Sequence, residues 1–338
     1  MLGILALSGV IIAAAAPCAP AQPAIDQVLD AWKSHRIVAI AEVHRGVEDK
    51  RFLAQLVGHP GFSKIVDDVV IEFGTARYQS TLDRYINGDE VPLEEVRKVW
   101  ADTTVVNGLW DAPIYAEFLA AVRDSNKRLP KARRVRVLAC DPPIDWTRVA
   151  SIADAKPNLD REGHCTALIE REVIARRRRA LMIMGDSHVV RTTITGQKAA
   201  NTVTRIESRQ PGSTFVVLTY YGQFKESPAI EARLDAGAVP AFVPFSEAWL
   251  GDLPAVPPQK PTRTRVGGGN EVSETVEVVR QFTFRDIGDA LLYLGPKTAL
   301  TRSVPDPSRW TAEDLTELDR RHQILFGKPL DRNLLFKE

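Results

Sequence analysis

The sequence predicts an α/β fold in which a mostly parallel central sheet is flanked by helices. Three observations predict it. Six apolar runs, each about 4 to 6 residues long, are continuous rather than alternating, as strands are when both faces are covered. Amphipathic helical patterns separate the runs, the alternation expected of βαβ units. Four of the runs end in acidic residues or histidine, where an open parallel sheet places its ligand crevice.

The elements follow in order. Leu2 to Ala16 is apolar and is followed by "PCAPAQPA". About 15 apolar residues fall short of the about 20 that a membrane span needs. Ala19-Pro20-Ala21 suits signal-peptidase cleavage, so residues 1–21 read as a signal peptide, although no Lys or Arg precedes the apolar run. Pro17 fits lipidation of Cys18 poorly, so export to the periplasm or beyond with cleavage is expected, and no membrane span remains. Residues 22–338 then read as one domain.

Ala24–Lys33 carries Ile25, Val28, Leu29 and Trp32 on one helical face. The first strand, Ile37–Ala41, follows. Helical patterns over Glu48–Val57, Leu93–Trp100 and Pro113–Arg128 lie around strands Asp68–Phe73 and Val135–Ala139. Pro92 suits the start of the second of these helices. A helical pattern over Cys165–Arg177 precedes strand Leu181–Met184, and Phe215–Thr219 and Leu291–Leu294 complete the strands. Thr311-x-x-Asp314 opens a last helix to Leu325 as an N-cap signal. Between them, positions 251–270 hold four prolines and Gly267-Gly268-Gly269, which reads as a flexible loop too poor in apolar residues to pack.

Charge is balanced, with 44 basic and 43 acidic residues and a net charge of +1. No net field recruits nucleic acid or an anionic membrane. The basic run Arg176–Arg179 closes a helical pattern and reads as a solvated complement to the helix C-terminus. After cleavage only Cys140 and Cys165 remain, which is no disulfide framework. Cys140 reads as a small core residue, with a bridge to Cys165 left open.

The strand ends carry the chemistry. "VAIAEVH" delivers Glu42 and His44, "VVIEF" delivers Glu72, "VRVLACDPP" delivers Asp141, and "ALMIMGDSH" delivers Asp186 and His188. Asp141 and Asp186 could each do no more than cap a helix. Glu72 resists that reading, because it follows Val69, Val70 and Ile71, and an unpaired buried carboxylate is costly. Together, the residues point to a shared pocket. His35, His59, His164 and His322 read as surface or loop residues. Ser187 fails as a nucleophile elbow because Val189 stands where that turn needs Gly. Cys140 lies in an apolar run, and Gly267–Gly269 neither follows a strand nor opens a helix, so neither a thiol nucleophile nor a phosphate loop is indicated. Two readings survive. In one, His44 is a general base tuned by Glu42 or Glu72. In the other, Glu42, His44, Glu72 and His188 hold a divalent cation such as Zn, Mn or Fe that acidifies a water.

The motifs "IVAIAEVHRG", "VVIEFG", "VRVLACDPPIDW" and "ALMIMGDSHVVR" resemble the strand-end motifs of the superfamily that joins erythromycin esterases, ChaN-like haem-binding proteins and Tiki/TraB-type proteins. The first resembles that family's G-E-x-H and the last its G-x-x-H, in matching order across roughly Ile37 to Arg191. "DALLYLGP" is similar to a segment of exported members. Ala41 stands where the family usually has Gly. The resemblance implies an α/β sandwich with its pocket at these strand ends, His44 matching the family's catalytic or ligand histidine, Glu42 and Glu72 its acids, and His188 its late histidine.

Two functions follow as expectations. The first is an exported hydrolase of esters, lactones or peptides. His44 is its base, Glu42 and Glu72 orient it or bind metal, and His188 and Asp141 stabilise the transition state. Arg45, Arg77 and Arg191 would hold a substrate carboxylate or phosphate. The second is a protein that binds haem or another iron compound, with Tyr78 or His44 as axial ligand; Phe73, Tyr78, Trp110 and Trp146 either line an apolar slot for it or belong to the core. A pocket dominated by acids and histidine favours hydrolysis.

Overall fold

A computed structural model describes residues 24–191, 200–235, 237, 239–255 and 282–335. Among them, seven strands form one sheet in the order β3-β2-β4-β1-β5-β7-β6. The strands are β1 Ile37–Glu42, β2 Asp68–Thr75, β3 Arg136–Asp141, β4 Ala180–Gly185, β5 Thr214–Thr219, β6 Ala241–Pro244 and β7 Ala290–Tyr293. Every pairing is parallel except that of β6 with β7.

Successive strand residues point to opposite faces. Val38, Ile40, Val69 and Ile71 enter a core with helices Ala24–Ala31, Val47–Gly58, Leu93–Ala101 and Pro113–Lys127. Ile37, Ala39, Ala41 and Val70 enter a second core with helices Arg161–Ile169, Thr202–Arg209 and Ser227–Leu234. Burial on both faces is why the strands read as unbroken apolar runs. A satellite cluster places Leu318 of helix Ala312–Phe326 with Ile144, Trp146 and Val149, beyond the end of β3.

All six apolar runs are strands, with ends moved by one or two residues. β6 was not legible, because its four residues end in proline and occupy the sheet edge, the position in a sheet that tolerates proline. Thr311 caps the last helix through a reciprocal capping box with Asp314. The helix expected over Cys165–Arg177 begins earlier, at Arg161 behind an Asp160 cap, and loosens into a π turn over Glu170–Ile174. Helices Gln79–Ile86, Thr202–Arg209 and Ser227–Leu234 were not predicted. The first two are eight-residue, mostly polar segments, too short to fill the window of about 11 to 18 residues over which a helical period is read.

Edge strand β3 is sealed by two amide side chains. Asn126 donates to the Val135 carbonyl at 2.8 Å and accepts from its N–H at 2.9 Å. Gln79 does the same across Val137 and Ala139, at 2.7 and 2.8 Å. These bonds occupy backbone groups that would otherwise template another strand.

Cys140, at the end of β3, is disulfide-bonded to Cys165 on helix Arg161–Ile169, with 5.0 Å between Cα atoms. Of the expected loop, Gly251 instead closes a short helix and Pro254 bridges to Thr283, while residues 256–281 lie outside the described residues. The expected signal peptide also lies outside them. No helix among the described residues is long and apolar enough to cross a membrane.

Candidate active site

β1 and β4 end side by side, with Glu42 opposite Gly185. Glu42 is the first polar residue after the apolar run and is itself buried. Its Oε1 accepts from His44 Nδ1 at 2.7 Å and from the Tyr115 hydroxyl at 3.3 Å. Its Oε2 lies 2.6 Å from Lys50 Nζ. Lys50 is fully buried and also bonds Asp49 at 3.0 Å. Burial alone would raise the Glu42 pKa, but Lys50 and His44 outweigh it and hold the carboxyl below its usual value. Asp49, with less compensation, is pushed by burial up to about 6.

The chain turns sharply after β1. Arg45 takes the left-handed conformation (φ 62°), donates its N–H to the Tyr115 hydroxyl at 2.9 Å and accepts at its carbonyl from Ser303 at 2.7 Å. That turn returns His44 onto Glu42. The His44 ring stands edge-on to Trp110, with centroids 4.9 Å apart. Its side chain is 37% exposed, and Nε2 has no hydrogen-bond partner among the described residues. Burial depresses the imidazole pKa, but the bond to Glu42 and the charges of Glu42 and Glu72 reverse this, so the net shift is upward.

A second cluster meets the first at Gly185. Glu72 Oε2 accepts from the Gly185 N–H at 2.7 Å, and Oε1 lies 2.7 Å from Arg161 Nη2 and 3.2 Å from His188 Nε2. His188 Nδ1 bonds Glu162, whose other oxygen accepts from Thr202. The two carboxylates overcome burial and raise the His188 pKa to about 9. Burial would raise the Glu72 pKa, but His188 and Arg161 outweigh it and pull the carboxyl far below the usual carboxylate range. Asp141 accepts from the Thr104 backbone at 2.7 Å, from its hydroxyl at 2.6 Å and from Arg161 Nε at 3.0 Å. Burial still pushes Asp141 up to about 6. A Cβ at Gly185 would lie 2.9 Å from His44 Cε1 and 3.5 Å from Glu72 Oε2, so glycine lets the two clusters touch.

The structure therefore brings together Glu42, His44, Glu72, Asp141 and His188. Asp186 sits at the rim, accepting from the Tyr221 hydroxyl at 3.2 Å. Arg45 stands at the turn. Arg77 is paired with Asp145 at 2.7 Å, and Tyr78 donates to Asp102 at 2.9 Å. Arg191 is tied to Asp289 and to the Thr214 carbonyl, at the start of β5, away from the strand ends. His164, expected at the surface, is half-buried on its helix, and burial lowers its pKa.

Sequence reasoning missed Lys50, Tyr115, Arg161 and Glu162. Lys50 had a signal: with Asp49 it falls on the helical stripe of Phe52, Leu53 and Leu56. Arg161 and Glu162 look like any charged first helical turn.

The four residues considered as metal ligands do not fit a cation. Lys50 and Arg161 already occupy the carboxylates, and among the described residues no group of three or more His, Cys, Asp or Glu has the placement to hold one. A cleft of about 370 Å³ runs beside the site, lined by Val43, Gly46, Thr219, Tyr221 and Arg302.

No protein-family model and no curated protein matches the sequence. Solved structures do match. An erythromycin esterase, an EreC variant in its open conformation, aligns at a TM-score of 0.52 and 11% identity, over 82% of this chain and 94% of the esterase. The chain has the erythromycin-esterase fold. A Bacillus cereus protein of the same fold aligns at a TM-score of 0.50 and 11% identity, over 82% of this chain and 91% of that one. The haem-binding ChaN of Campylobacter jejuni aligns at a TM-score of 0.38 and 13% identity, over 59% of this chain and 87% of ChaN. The resemblance carried by the strand-end motifs thus holds at the level of the erythromycin-esterase fold.

Proposed function

We propose that the chain is an exported hydrolase of esters, lactones or peptides in which His44 activates water. The observation that carries this is the Glu42–His44 pair. Glu42 is buried and kept ionised by Lys50, so it fixes the tautomer of His44 with its proton on Nδ1. The lone pair then lies on Nε2, the nitrogen with no partner among the described residues.

In the reaction, Nε2 takes a proton from water as the water oxygen attacks the carbonyl carbon. Glu42 stabilises the imidazolium, which then returns the proton to the leaving group. Arg161 offers positive charge to the tetrahedral oxyanion through Nη1, which has no partner among the described residues. Asp141 and Glu72 hold that guanidinium in place. His188, donating to two carboxylates and protonated at neutral pH, cannot serve as a base and instead positions Glu72. An erythromycin esterase shares the fold, which supports testing esters and lactones first.

The test is a panel of ester, lactone and peptide substrates assayed with the parent protein and His44→Ala. Loss of the base should cost about a hundredfold to ten-thousandfold in rate while circular dichroism stays unchanged. A His44→Ala protein as active as its parent would refute the assignment.

Haem held by His44 or Tyr78 is the second reading, and the haem-binding ChaN among the matched structures keeps it in view. Against it, Tyr78 is engaged with Asp102, and Phe73, Trp110 and Trp146 are buried in the core rather than lining a slot. A Soret band on protein purified from its native host would bring this reading forward.

A further inference from the structure

At the opposite end of the sheet, the starts of β2 and β3 border a cleft of about 800 Å³. Seven lysines and arginines line it against three acidic residues. A second cleft of about 670 Å³ adjoins it and shares Lys64 and Asp67. In a chain whose charges nearly cancel, this is a segregated positive pole.

The cations of the larger cleft are placed, and most of them lack acidic partners. Asp68, fully buried at the start of β2, binds Arg136 Nε at 2.7 Å and Arg178 Nε at 2.7 Å. One buried carboxylate thereby holds two guanidiniums at the cleft wall. Arg134 is held by the Asn87 carbonyl at 2.6 Å, and Arg133 by the Ser63 carbonyl at 3.3 Å, rather than by acids. Lys64 and Lys131 have no side-chain partner among the described residues. Lys64, Lys131, Arg133 and Arg134 thus face one concave space without an acidic partner among those residues. Unpaired cations repel one another, and the repulsion is relieved by a bound anion. The cleft is concave and of small-molecule size, which suits a compact anion better than a flat membrane. The sealed edge of β3 prevents an extended peptide from pairing there.

We propose that this cleft binds a small, multiply charged anion bearing phosphate or carboxylate groups, at a site separate from the His44 centre. The experiment is titration calorimetry of the full chain with tripolyphosphate and with citrate. One-to-one binding that weakens as salt is raised is expected, and the tighter of the two names the group recognised. Lys64→Gln/Lys131→Gln changes two exposed side chains that make no hydrogen bond or ion pair among the described residues, so it should fold normally and bind at least about tenfold more weakly. Arg309→Gln/Lys328→Gln, which removes equal charge elsewhere, should bind as the parent does. Absence of binding by both anions, an unchanged affinity in the first variant, or equal weakening in the two variants overturns the proposal.

Discussion

His188 sits between Glu72 and Glu162 with both ring nitrogens engaged. Its pKa in the folded protein is raised to about 9, against about 6.5 for a free imidazole. Protonated His188 therefore adds stability that is fully present below about pH 6.5 and is lost as pH rises through about 9. The contribution is up to about 3 kcal/mol. Urea unfolding followed from pH 6 to pH 10 should show the midpoint falling over that window, and His188→Gln should flatten the slope. A midpoint equally pH-dependent in the variant would show that another group titrates.

Helix Val47–Gly58 delivers a buried cation from what should be a purely apolar face. Its Lys50 compensates Glu42 and Asp49, and removing it takes away the one cation that two buried carboxylates share. Lys50→Met should destabilise the protein by about 3–5 kcal/mol, read as a fall in urea midpoint. Lys50→Met/Glu42→Gln should recover part of that loss, because the buried pair is then removed together. At this scale the sequence was informative where periodicity was strong. The unbroken runs of β1 to β5 and β7, and the Thr311 cap, were legible because burial on two faces and capping each leave a local pattern. The polar residues that interrupt those runs marked Glu42, His44, Glu72 and Asp141. Arg161 and Glu162 were not legible, since what makes them part of the site is contact with residues far away in sequence. Helix Gln79–Ile86 escaped because Leu82, Tyr85 and Ile86 have helical spacing but cover little more than one turn of a mostly polar segment, too short to set a period.

At the scale of the whole molecule, the fold separates an acid–histidine end from a basic end, with the Cys140–Cys165 bond bracing the former. That bond joins the strand carrying Asp141 to the helix carrying Arg161 and Glu162, across 25 residues of chain. Reduction should lower stability by about 3 kcal/mol. Matched urea titrations with and without reductant would show this, and coincident curves would mean that the bond adds nothing. The two site clusters also differ in when their parts are made. Glu42 finds His44, Lys50 and Tyr115 in the first portion to leave the ribosome, whereas Glu72 waits for Arg161, Gly185 and His188. Until those arrive, burying Glu72 is unfavourable, and β1 lacks both of its sheet neighbours. A chain interrupted before His188 therefore cannot satisfy Glu72, and the acid on the second strand acts as a checkpoint passed only once β4 and the turn after it have been made.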